Sequence, residues 1–431
     1  MLLRFRAANH LSLWDEQEIS LVASPLSGNE TSLIDSSALP KERILPGAMI
    51  YGANASGKSN VIYALLYMRE AVLFSHNKGQ PGGSVPRIPF ALDQLAAKKP
   101  SLFDADFVAE GVRYNYGFEV SDKTFPAEWL YAFPNHRRLT LFERKDGAFK
   151  FGSKLKGHNK ILSDLTRPNS LFLSAAVQNH HEQLSAVSAF FHSQQFYTDI
   201  TVPDETATRH VAQDEPDKRI IEFLYAIGTG IVGFRHREHD VPSEIRSLIS
   251  TSTQTEINRT LKVEDADGIV ATYVPEIDKF AIFELGHRVP EDDPVYLSLD
   301  RESAGTRRLL VLLDKVFQAL DNGTLLVVDE LDASLHTTAC EAVLELFFSP
   351  ETNPHGAQIM ATTHDTNLMQ SPLLRRDQTW FTEKDKGGAT HLYPLTDIRT
   401  RQSDNIEKGY LQGRYGAISF PPAMSKILAA E

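Results

Sequence analysis

Hydrophobic and polar residues alternate with a period of two along two stretches of the sequence. The first lies within residues 1–51, and the second runs from 102 to 151 through the turns at Glu110-Gly111 and Asp146-Gly147. Alternation of this kind, interrupted by turns that contain glycine, is typical of antiparallel strands that bury one face. We therefore predict short antiparallel strands near the N-terminus and an antiparallel β-meander over 102–151.

Between residues 155 and 262 the hydrophobic residues follow a helical spacing instead. Short helical patterns occur at 184–191, 220–227 and 245–249, and turns rich in Pro, Gly, Asp and Ser separate them. No heptad repeat is sustained, so a long coiled-coil arm is not expected. The pattern indicates a lobe of short helices that is inserted into a sheet domain.

Strand patterns return after this lobe. They occur at 268–274, 280–284 and 295–299, and a helical pattern then extends from about 305 to 320. Strands and helices that alternate in this way predict a mixed α/β organisation.

A glycine-rich stretch at 52–60 fits the phosphate-binding pattern G-x-x-x-x-G-K-[ST] without a mismatch. A short buried strand ends before it and an apolar helix follows it, which is the strand–loop–helix context that such a loop needs. We predict that Lys58 contacts the β- and γ-phosphates of a nucleotide and that Ser59 binds Mg²⁺. The predicted nucleotide contacts in this loop are Gly52, Ala53, Asn54, Ala55, Ser56, Gly57, Lys58, Ser59 and Asn60.

An acidic pair stands at the end of a second buried strand pattern. Residues 324–328 form an apolar run typical of a buried parallel strand, and Asp329 and Glu330 follow it directly. Ligands bind at the carboxyl ends of such strands. We predict that Asp329 holds Mg²⁺, directly or through water, and that Glu330 polarises the attacking water. An acidic pair without a role in phosphate chemistry is the alternative.

Three further segments complete the pattern. Ser303 and Gly305 stand at the start of the 305–320 helix, where a serine and backbone N–H groups can form an anion site. Residues 331–336 follow the acidic pair, and an apolar strand pattern ends at His364. Taken singly, Ser303 is an ordinary helix cap and His364 an ordinary strand-end histidine. The order and spacing of all five segments carry the prediction.

The composition is that of an ordinary soluble globular protein. The chain has 431 residues, of which 42% are hydrophobic and 23% charged, and this length suffices for two lobes. It has no apolar run of about 18 residues, and its start lacks the long apolar segment of a signal peptide. We therefore expect a cytoplasmic protein without membrane contact. Cys340 is the only cysteine, so no disulfide forms within the chain.

The charge balance bears on nucleic acid as a partner. The net charge of −12, from 44 basic and 56 acidic residues, argues against a broad nucleic-acid-binding surface. The strongest local basic segments are 136–138 and 154–160, and such runs are more often solvated surface. Nucleic acid is therefore not favoured as a partner.

In these motifs the chain resembles the ABC-type ATPases, and among them the SMC/RecF/OLD-like branch of AAA-family ATPases. Specific motifs carry the resemblance over residues 1–75 and 295–400. The signature departs from the family's LSGG-like form, because Glu302-Ser303-Ala304-Gly305 stands in its place. The resemblance assigns 52–59 to Walker A, Asp329 and Glu330 to Walker B with its catalytic glutamate, 331–336 with Asp332 to the D-loop, Ser303 and Gly305 to the signature, His364 to the switch histidine and Gln178 to the Q-loop glutamine that binds the metal.

The resemblance also implies how such a protein works. The residues that one protomer would offer to Mg²⁺ and ATP are Lys58, Ser59, Asp329, Glu330 and His364. A second protomer would offer Ser303 and Gly305 to the same nucleotide. ATP hydrolysis would then require a homodimer, or a higher homo-oligomer, whose interface is isologous.

The overall arrangement resembles the small prokaryotic ATPases of anti-phage defence operons, which commonly work with a separately encoded effector such as a nuclease. OLD nucleases carry a Toprim domain, but the stretch after His364 is shorter than a usual domain. We expect an ATP-dependent sensor or scaffold without nuclease activity of its own. The alternatives are a RecF/SMC-like repair ATPase that clamps duplex DNA, the nucleotide-binding subunit of a transporter, and an ATP-binding module without activity.

The predicted fold class is α/β, a P-loop NTPase with an ABC-type ATPase head, an antiparallel β-meander and an inserted helical lobe. The predicted segments are 1–154 for the P-loop and meander, 155–262 for the helical lobe, 263–398 for the C-terminal part of the ATPase domain and 399–431 for a C-terminal tail. The tail carries Arg414 and Tyr415, which could dock a partner or reach a neighbouring nucleotide. Simple packing against the protein surface is the other interpretation.

Overall fold

The computed structural model describes residues 1–26, 28–198, 216–240, 262–264, 270–272, 279–401 and 404–418. The chain forms two compact units. Unit 1 comprises Met1–Phe196, Ala319–Asp332 and Val343–Glu431, and unit 2 comprises Tyr197–Gln318 and Ala333–Ala342.

The strands are β1 (Leu2–Ala8), β2 (Gln17–Ser20), β3 (Gly47–Gly52), β4 (Ser101–Ala109), β5 (Val112–Val120), β6 (Ala127–Ala132), β7 (Leu139–Lys145), β8 (Ala148–Phe151), β9 (Gln195–Tyr197), β10 (Ile231–Asp240), β11 (Lys262–Glu264), β12 (Val270–Thr272), β13 (Lys279–Val289), β14 (Asp292–Ser298), β15 (Leu325–Val328), β16 (Gln358–Thr362), β17 (Thr379–Lys384) and β18 (Thr390–Pro394). The α-helices are α1 (Lys58–Lys78), α2 (Asn159–Leu165), α3 (Phe172–Gln178), α4 (Glu182–His192), α5 (Lys218–Ala226), α6 (Ala304–Asn322), α7 (Thr337–Phe348) and α8 (Ile406–Leu411). No helix in the described part of the chain is both long enough and apolar enough to cross a membrane.

A seven-stranded antiparallel sheet forms one layer of unit 1, in the order β2-β1-β4-β5-β6-β7-β8. Alternate residues such as Phe103, Phe118 and Leu130 are completely buried on its inner face. The predicted meander over 102–151 is therefore confirmed. The aromatic side chains of Phe103, Phe118 and Phe142 lie on this packed face, because a strand presents every second side chain to the same side.

The second sheet of unit 1 has the order β18-β17-β3-β16-β15-β9. Strands β17, β3, β16 and β15 run parallel to one another. Every residue of β3, β15 and β16 is buried, which explains the continuous apolar runs that predicted them. Because the strands are parallel, Gly52 at the end of β3, Asp329 after β15 and Thr363 after β16 lie at the same edge of the sheet.

Helix α1 starts at this sheet edge and contributes buried side chains to the hydrophobic core of unit 1. Val61, Leu65, Met68 and Val72 recur at helical spacing, are buried, and join one hydrophobic cluster with the inner face of the seven-stranded sheet. The helix begins at Lys58, directly after the glycine-rich loop. Its packed apolar face therefore fixes the position of the loop.

Unit 2 contains the antiparallel sheet β10-β13-β14, the pair β11-β12, helix α5 and residues 304–318 of α6. The sequence pattern instead predicted a helical lobe over 155–262. Helices α2 to α4 belong to unit 1, and β10 lies within the predicted helical range. The strand was missed because Phe234-Arg235-His236-Arg237 shows no clear apolar alternation and its partner β13 is distant in sequence. The helical pattern at 245–249 lies outside the described residues.

Candidate functional site

The glycine-rich loop connects β3 to α1 at the carboxyl edge of the six-stranded sheet. Gly57 has φ +106, a left-handed conformation that disfavours any side chain, and a Cβ atom there would collide with the hydroxyl of Thr390. Ala55 is also left-handed, with φ +62. The first N–H groups of an α-helix lack carbonyl partners from a preceding turn, although those of Asn60 and Val61 donate here to the Gly57 carbonyl at 3.1 and 3.4 Å. The loop therefore has the shape and the donors of an anion site.

Lys58 folds back onto its own loop. Its ammonium Nζ donates to the carbonyl oxygens of Gly52 at 3.0 Å and of Ala53 at 3.2 Å. Burial lowers the pKa of the Lys58 ammonium, while the carboxylates of Asp329 and Glu330 act in the opposite direction. The lysine and the acidic pair are therefore neighbours in the fold, as the sequence motifs predict.

Ser59 and Asp329 form the direct link between the loop and the acidic pair. The Ser59 hydroxyl donates to Asp329 Oδ1 at 3.0 Å. Adjacent ligands of an octahedral Mg²⁺, each about 2.1 Å from the metal, are separated by about 3.0 Å. The spacing and the oxygen chemistry of these two side chains therefore fit a magnesium ion.

The two neighbouring carboxylates of the acidic pair have different surroundings. Asp329 is 6% exposed, and its carboxylate also accepts hydrogen bonds from Thr362 Oγ1 at 2.6 Å and from Tyr63 Oη at 3.3 Å. Glu330 is exposed at the sheet edge. Asp329 is thus held in place by hydroxyl groups, whereas the Glu330 side chain is exposed to solvent.

The backbone of Glu330 adopts a strained conformation. Its φ is +54, in the left-handed region that non-glycine residues rarely occupy. The neighbouring strand holds this turn, because the Glu330 N–H donates to Thr362 Oγ1 at 2.7 Å and the Leu331 N–H donates to the Thr362 carbonyl at 2.9 Å. Strain that is held by surrounding contacts is typical of functional sites.

Asp332 and His364 also come together. The backbone N–H of His364 donates to Asp332 Oδ1 at 3.0 Å, and the His364 side chain is exposed. The segment after the acidic pair is thereby tied to the end of β16. Both residues lie at the same sheet edge as Glu330.

Several buried hydroxyl groups form hydrogen bonds that hold the glycine-rich loop, and the sequence did not predict them. Thr382 Oγ1 is 2.6 Å from Ser56 Oγ, and Thr390 Oγ1 donates to the Ser56 carbonyl at 2.8 Å. Ser12 Oγ lies 2.7 Å from Thr390 Oγ1 and accepts from the Asn60 amide at 2.6 Å. Asn60 therefore contacts this support in the structure, although the sequence predicted it as a nucleotide contact. Such pairs span many residues, so no local motif reveals them.

The predicted signature lies in unit 2 at the start of α6. Ser303 Oγ accepts the Thr306 N–H at 3.0 Å, as an ordinary helix cap does. A Cβ atom on Gly305 would collide with the carbonyl oxygen of Ser334, which itself has φ +62. Glycine is thus required for the close approach of these two segments within unit 2.

Glu302 explains part of the departure from the expected signature. Its side chain is 6% exposed and forms a 2.6 Å contact with Nε2 of His287 on β13. A hydrophobic residue at this position would lack that partner. The histidine thus helps to hold the residue that precedes Ser303.

Gln178 does not reach the loop, and its prediction as a metal ligand is wrong. Its helix α3 packs beside the far part of α1, where the His76 N–H donates to Ser174 Oγ at 3.2 Å. Ser59 and His76 are roughly 25 Å apart along α1, at about 1.5 Å per residue. Gln178 lies only about 6 Å beyond Ser174 along α3 and is exposed. The sequence contains no local motif around Gln178 that could have fixed its position.

Comparison with known proteins identifies the family to which the chain belongs. The family described as "AAA domain, putative AbiEii toxin, Type IV TA system" matches residues 48–370. No curated protein matches the chain. A solved structure, "Crystal structure of the SmcHead bound to the C-winged helix domain of ScpA", is similar with 14% sequence identity and a TM-score of 0.37, over 91% of this chain and 97% of that chain. The predicted α/β fold of the P-loop NTPase class is confirmed. Because the family match spans most of its length, the chain belongs to this AAA-domain family.

Proposed function

We propose that this chain binds Mg²⁺ and ATP at the loop 52–60 and hydrolyses ATP. The observation that supports the proposal most strongly is the 3.0 Å hydrogen bond between Ser59 Oγ and Asp329 Oδ1. It joins two motifs that are far apart in the sequence and that have complementary roles in phosphoryl transfer. Each motif alone could be a turn or a structural acidic pair, but their contact at one sheet edge suits a common substrate.

Each residue of the proposed site has a role that follows from its surroundings. Loop N–H groups and the Lys58 ammonium bind the phosphates, and Lys58 exchanges its bonds to the loop carbonyls for bonds to phosphate oxygens. Ser59 and Asp329 would hold Mg²⁺, which supplies positive charge to the β- and γ-phosphates when it is bound. Glu330, exposed beside them, orients the attacking water and accepts its proton.

The proposal includes a homodimer or a higher homo-oligomer. Ser303 is exposed and Gly305 half-buried at a helix start whose first N–H groups can bind an anion, and the proposed dimer places them against the nucleotide of a second protomer. ATP binding would then favour association, and hydrolysis would favour release. His364 and Asp332 would respond to the γ-phosphate at the sheet edge.

The proposed biological role is that of an ATP-dependent sensor or scaffold that controls a separately encoded effector, as in anti-phage defence. The family description names a putative toxin of a Type IV TA system, and a regulated ATPase that acts together with a second gene product is compatible with that description. The acidic balance of the chain, with a net charge of −12, weighs against the alternative of a repair ATPase that clamps DNA.

Analytical ultracentrifugation of the Glu330→Gln variant tests this proposal. With ATP and Mg²⁺ the variant should sediment as a dimer or larger assembly, and with ADP it should dissociate. A second substitution, Lys58→Ala, serves as the control and should abolish the effect of ATP. A sedimentation profile that does not change with ATP would reject the ATP-dependent oligomer. Tight, strongly salt-dependent binding of duplex DNA by the ATP-bound form would favour the repair alternative instead.

A further inference from the structure

Most of the described part of the predicted C-terminal tail, residues 404–418, packs as part of unit 1. It consists of α8 and the turns that follow, and Ile406, Tyr410, Tyr415 and Ala417 are all buried. Arg414, by contrast, is exposed. We call residues 404–418 the C-terminal clasp, because they contact several elements at the carboxyl edge of the six-stranded sheet.

The clasp holds the short helical turn Thr366–Gln370, which begins just after His364. The carboxylate of Glu407 accepts hydrogen bonds from Thr366 Oγ1 at 3.1 Å and from the side-chain amide of Gln370. The side-chain amide of Asn405 also donates to Gln370 Oε1 at 3.2 Å. One acidic side chain therefore bridges the two ends of the turn.

The clasp also contacts two neighbouring strands, β17 and β3, of which β3 leads into the glycine-rich loop. The ring of Tyr410 stacks on Phe381 of β17, with ring centroids 5.5 Å apart and planes 11° apart. It also lies 6.4 Å from the ring of Tyr51, the residue before Gly52. Aromatic pairs at such distances stabilise packing beyond the area they bury.

Two hydrogen bonds fasten the clasp to β17 and β18. The hydroxyl of Tyr393 donates to the Tyr415 carbonyl at 2.8 Å, and the Ala417 N–H donates to Glu383 Oε2 at 3.1 Å. A further bond within the clasp joins the Tyr410 hydroxyl to the Ala417 carbonyl at 3.1 Å. The clasp is therefore anchored independently of its contact with 366–370.

We propose that the C-terminal clasp positions the catalytic edge, with Glu407 as a positioning residue that fixes the 366–370 turn and hence the backbone at His364. His364 is then held from both sides, by Asp332 through its N–H and by the turn that Glu407 bridges. Glu407 binds no nucleotide in this account. This inference rests on the proposed ATPase function for its effect on turnover, but its effect on the turn is independent of that function.

The variants Glu407→Ala and Glu407→Gln test the inference, with Lys408→Ala as the matched control. Lys408 lies on the same helix, and its side chain is exposed. Alanine removes both hydrogen-bond acceptors, whereas glutamine keeps one acceptor oxygen and a similar shape. We expect Glu407→Ala to lower kcat for ATP by about tenfold and to change the Kd for ATP by less than about twofold, because the phosphate loop is untouched. Glutamine should restore most of the turnover, and Lys408→Ala should match the parent.

Hydrogen–deuterium exchange of a peptide that covers 364–370 gives a readout that needs no ATPase activity. Without nucleotide, exchange should be about tenfold faster in Glu407→Ala than in the parent, intermediate in Glu407→Gln and unchanged in Lys408→Ala. Equal exchange in Glu407→Ala and Lys408→Ala would overturn the inference. So would a loss of ATP affinity in Glu407→Ala as large as its loss of turnover. If the parent itself does not hydrolyse ATP, the proposed function fails, and the exchange data alone decide the role of the clasp.

Discussion

Thr362 is the residue through which β16 holds the acidic pair, and Thr362→Val tests how much that support contributes. The side chain of Thr362 is completely buried at the end of β16. Its hydroxyl donates to Asp329 Oδ1 at 2.6 Å and accepts from the Glu330 N–H at 2.7 Å. Valine has nearly the same volume, so the substitution removes both hydrogen bonds without opening a cavity.

The expected cost follows from these two bonds. A hydrogen bond to a charged group contributes about 1.5–3 kcal/mol, and a buried polar group that loses its partner costs about 1–3 kcal/mol. Asp329 keeps its bonds to Ser59 and Tyr63, which offsets part of the loss. We therefore expect Thr362→Val to lower the free energy of unfolding by about 3 kcal/mol. Thr362→Ser, the control, keeps the hydroxyl and loses one methyl group, at a cost of about 1 kcal/mol.

Urea unfolding of the three proteins, followed by circular dichroism at neutral pH without nucleotide, measures these differences. Thr362→Val should unfold at a clearly lower urea concentration than Thr362→Ser. If valine proves as stable as serine, the hydroxyl does not hold the acidic pair, and the reasoning about Asp329 is wrong. The same variant should also bind ATP more weakly in the presence of Mg²⁺, because Asp329 loses one of the hydroxyl groups that hold its carboxylate beside Ser59.

Three further predictions concern other parts of unit 1. Burial lowers the pKa of His10 from its ordinary value of 6.5 to about 4, so the unfolded chain takes up a proton before the folded chain does and stability is lost as the pH falls through this window. Between about pH 7 and about pH 5 the parent should therefore lose about 2 kcal/mol more stability than His10→Phe in parallel urea titrations, and equal losses would contradict the shift. Glu330→Gly should be more stable than Glu330→Ala by about 1 kcal/mol, because glycine accepts the left-handed backbone at φ +54; the reverse order in thermal unfolding would exclude strain there. Gly57→Ala should abolish measurable ATP binding and lower the free energy of unfolding by on the order of 3 kcal/mol. Gly111 is also left-handed but has no atom near the position of a Cβ, so Gly111→Ala should cost about 1 kcal/mol and leave ATP binding intact. Comparable behaviour of the two variants would show that contact with Thr390 is unimportant.

The parts of the site that the sequence predicts are those encoded within a few consecutive residues. The loop 52–60 has a fixed spacing, and the acidic pair directly follows an apolar strand, so chain order alone indicates that both belong to one sheet edge. The structure adds their separation, which is 3.0 Å between Ser59 Oγ and Asp329 Oδ1. That distance depends on the parallel register of β3, β16 and β15, which no short motif contains.

The missed features arise from contacts between residues that are distant in sequence. Ser12, in the turn between β1 and β2, and Thr390, on β18, support the loop from near opposite ends of the chain, and nothing in their local sequence distinguishes them from surface hydroxyl residues. The prediction of Gln178 as a metal ligand failed for a related reason, since the position of this residue depends on how α3 packs along α1. Glu407 likewise gains its significance only from the tertiary contacts of the clasp.

The measurement that tests the central claim most directly compares ATP binding and ATP turnover in the parent and in Glu330→Gln. Glutamine keeps the size of the side chain and the backbone turn, and it cannot accept a proton from water. If the loop and the acidic pair form one hydrolytic site, equilibrium dialysis should show ATP binding within about threefold of the parent. Phosphate release should then fall by about a hundredfold or more. Phosphate release by Glu330→Gln at close to the parental rate would contradict the account.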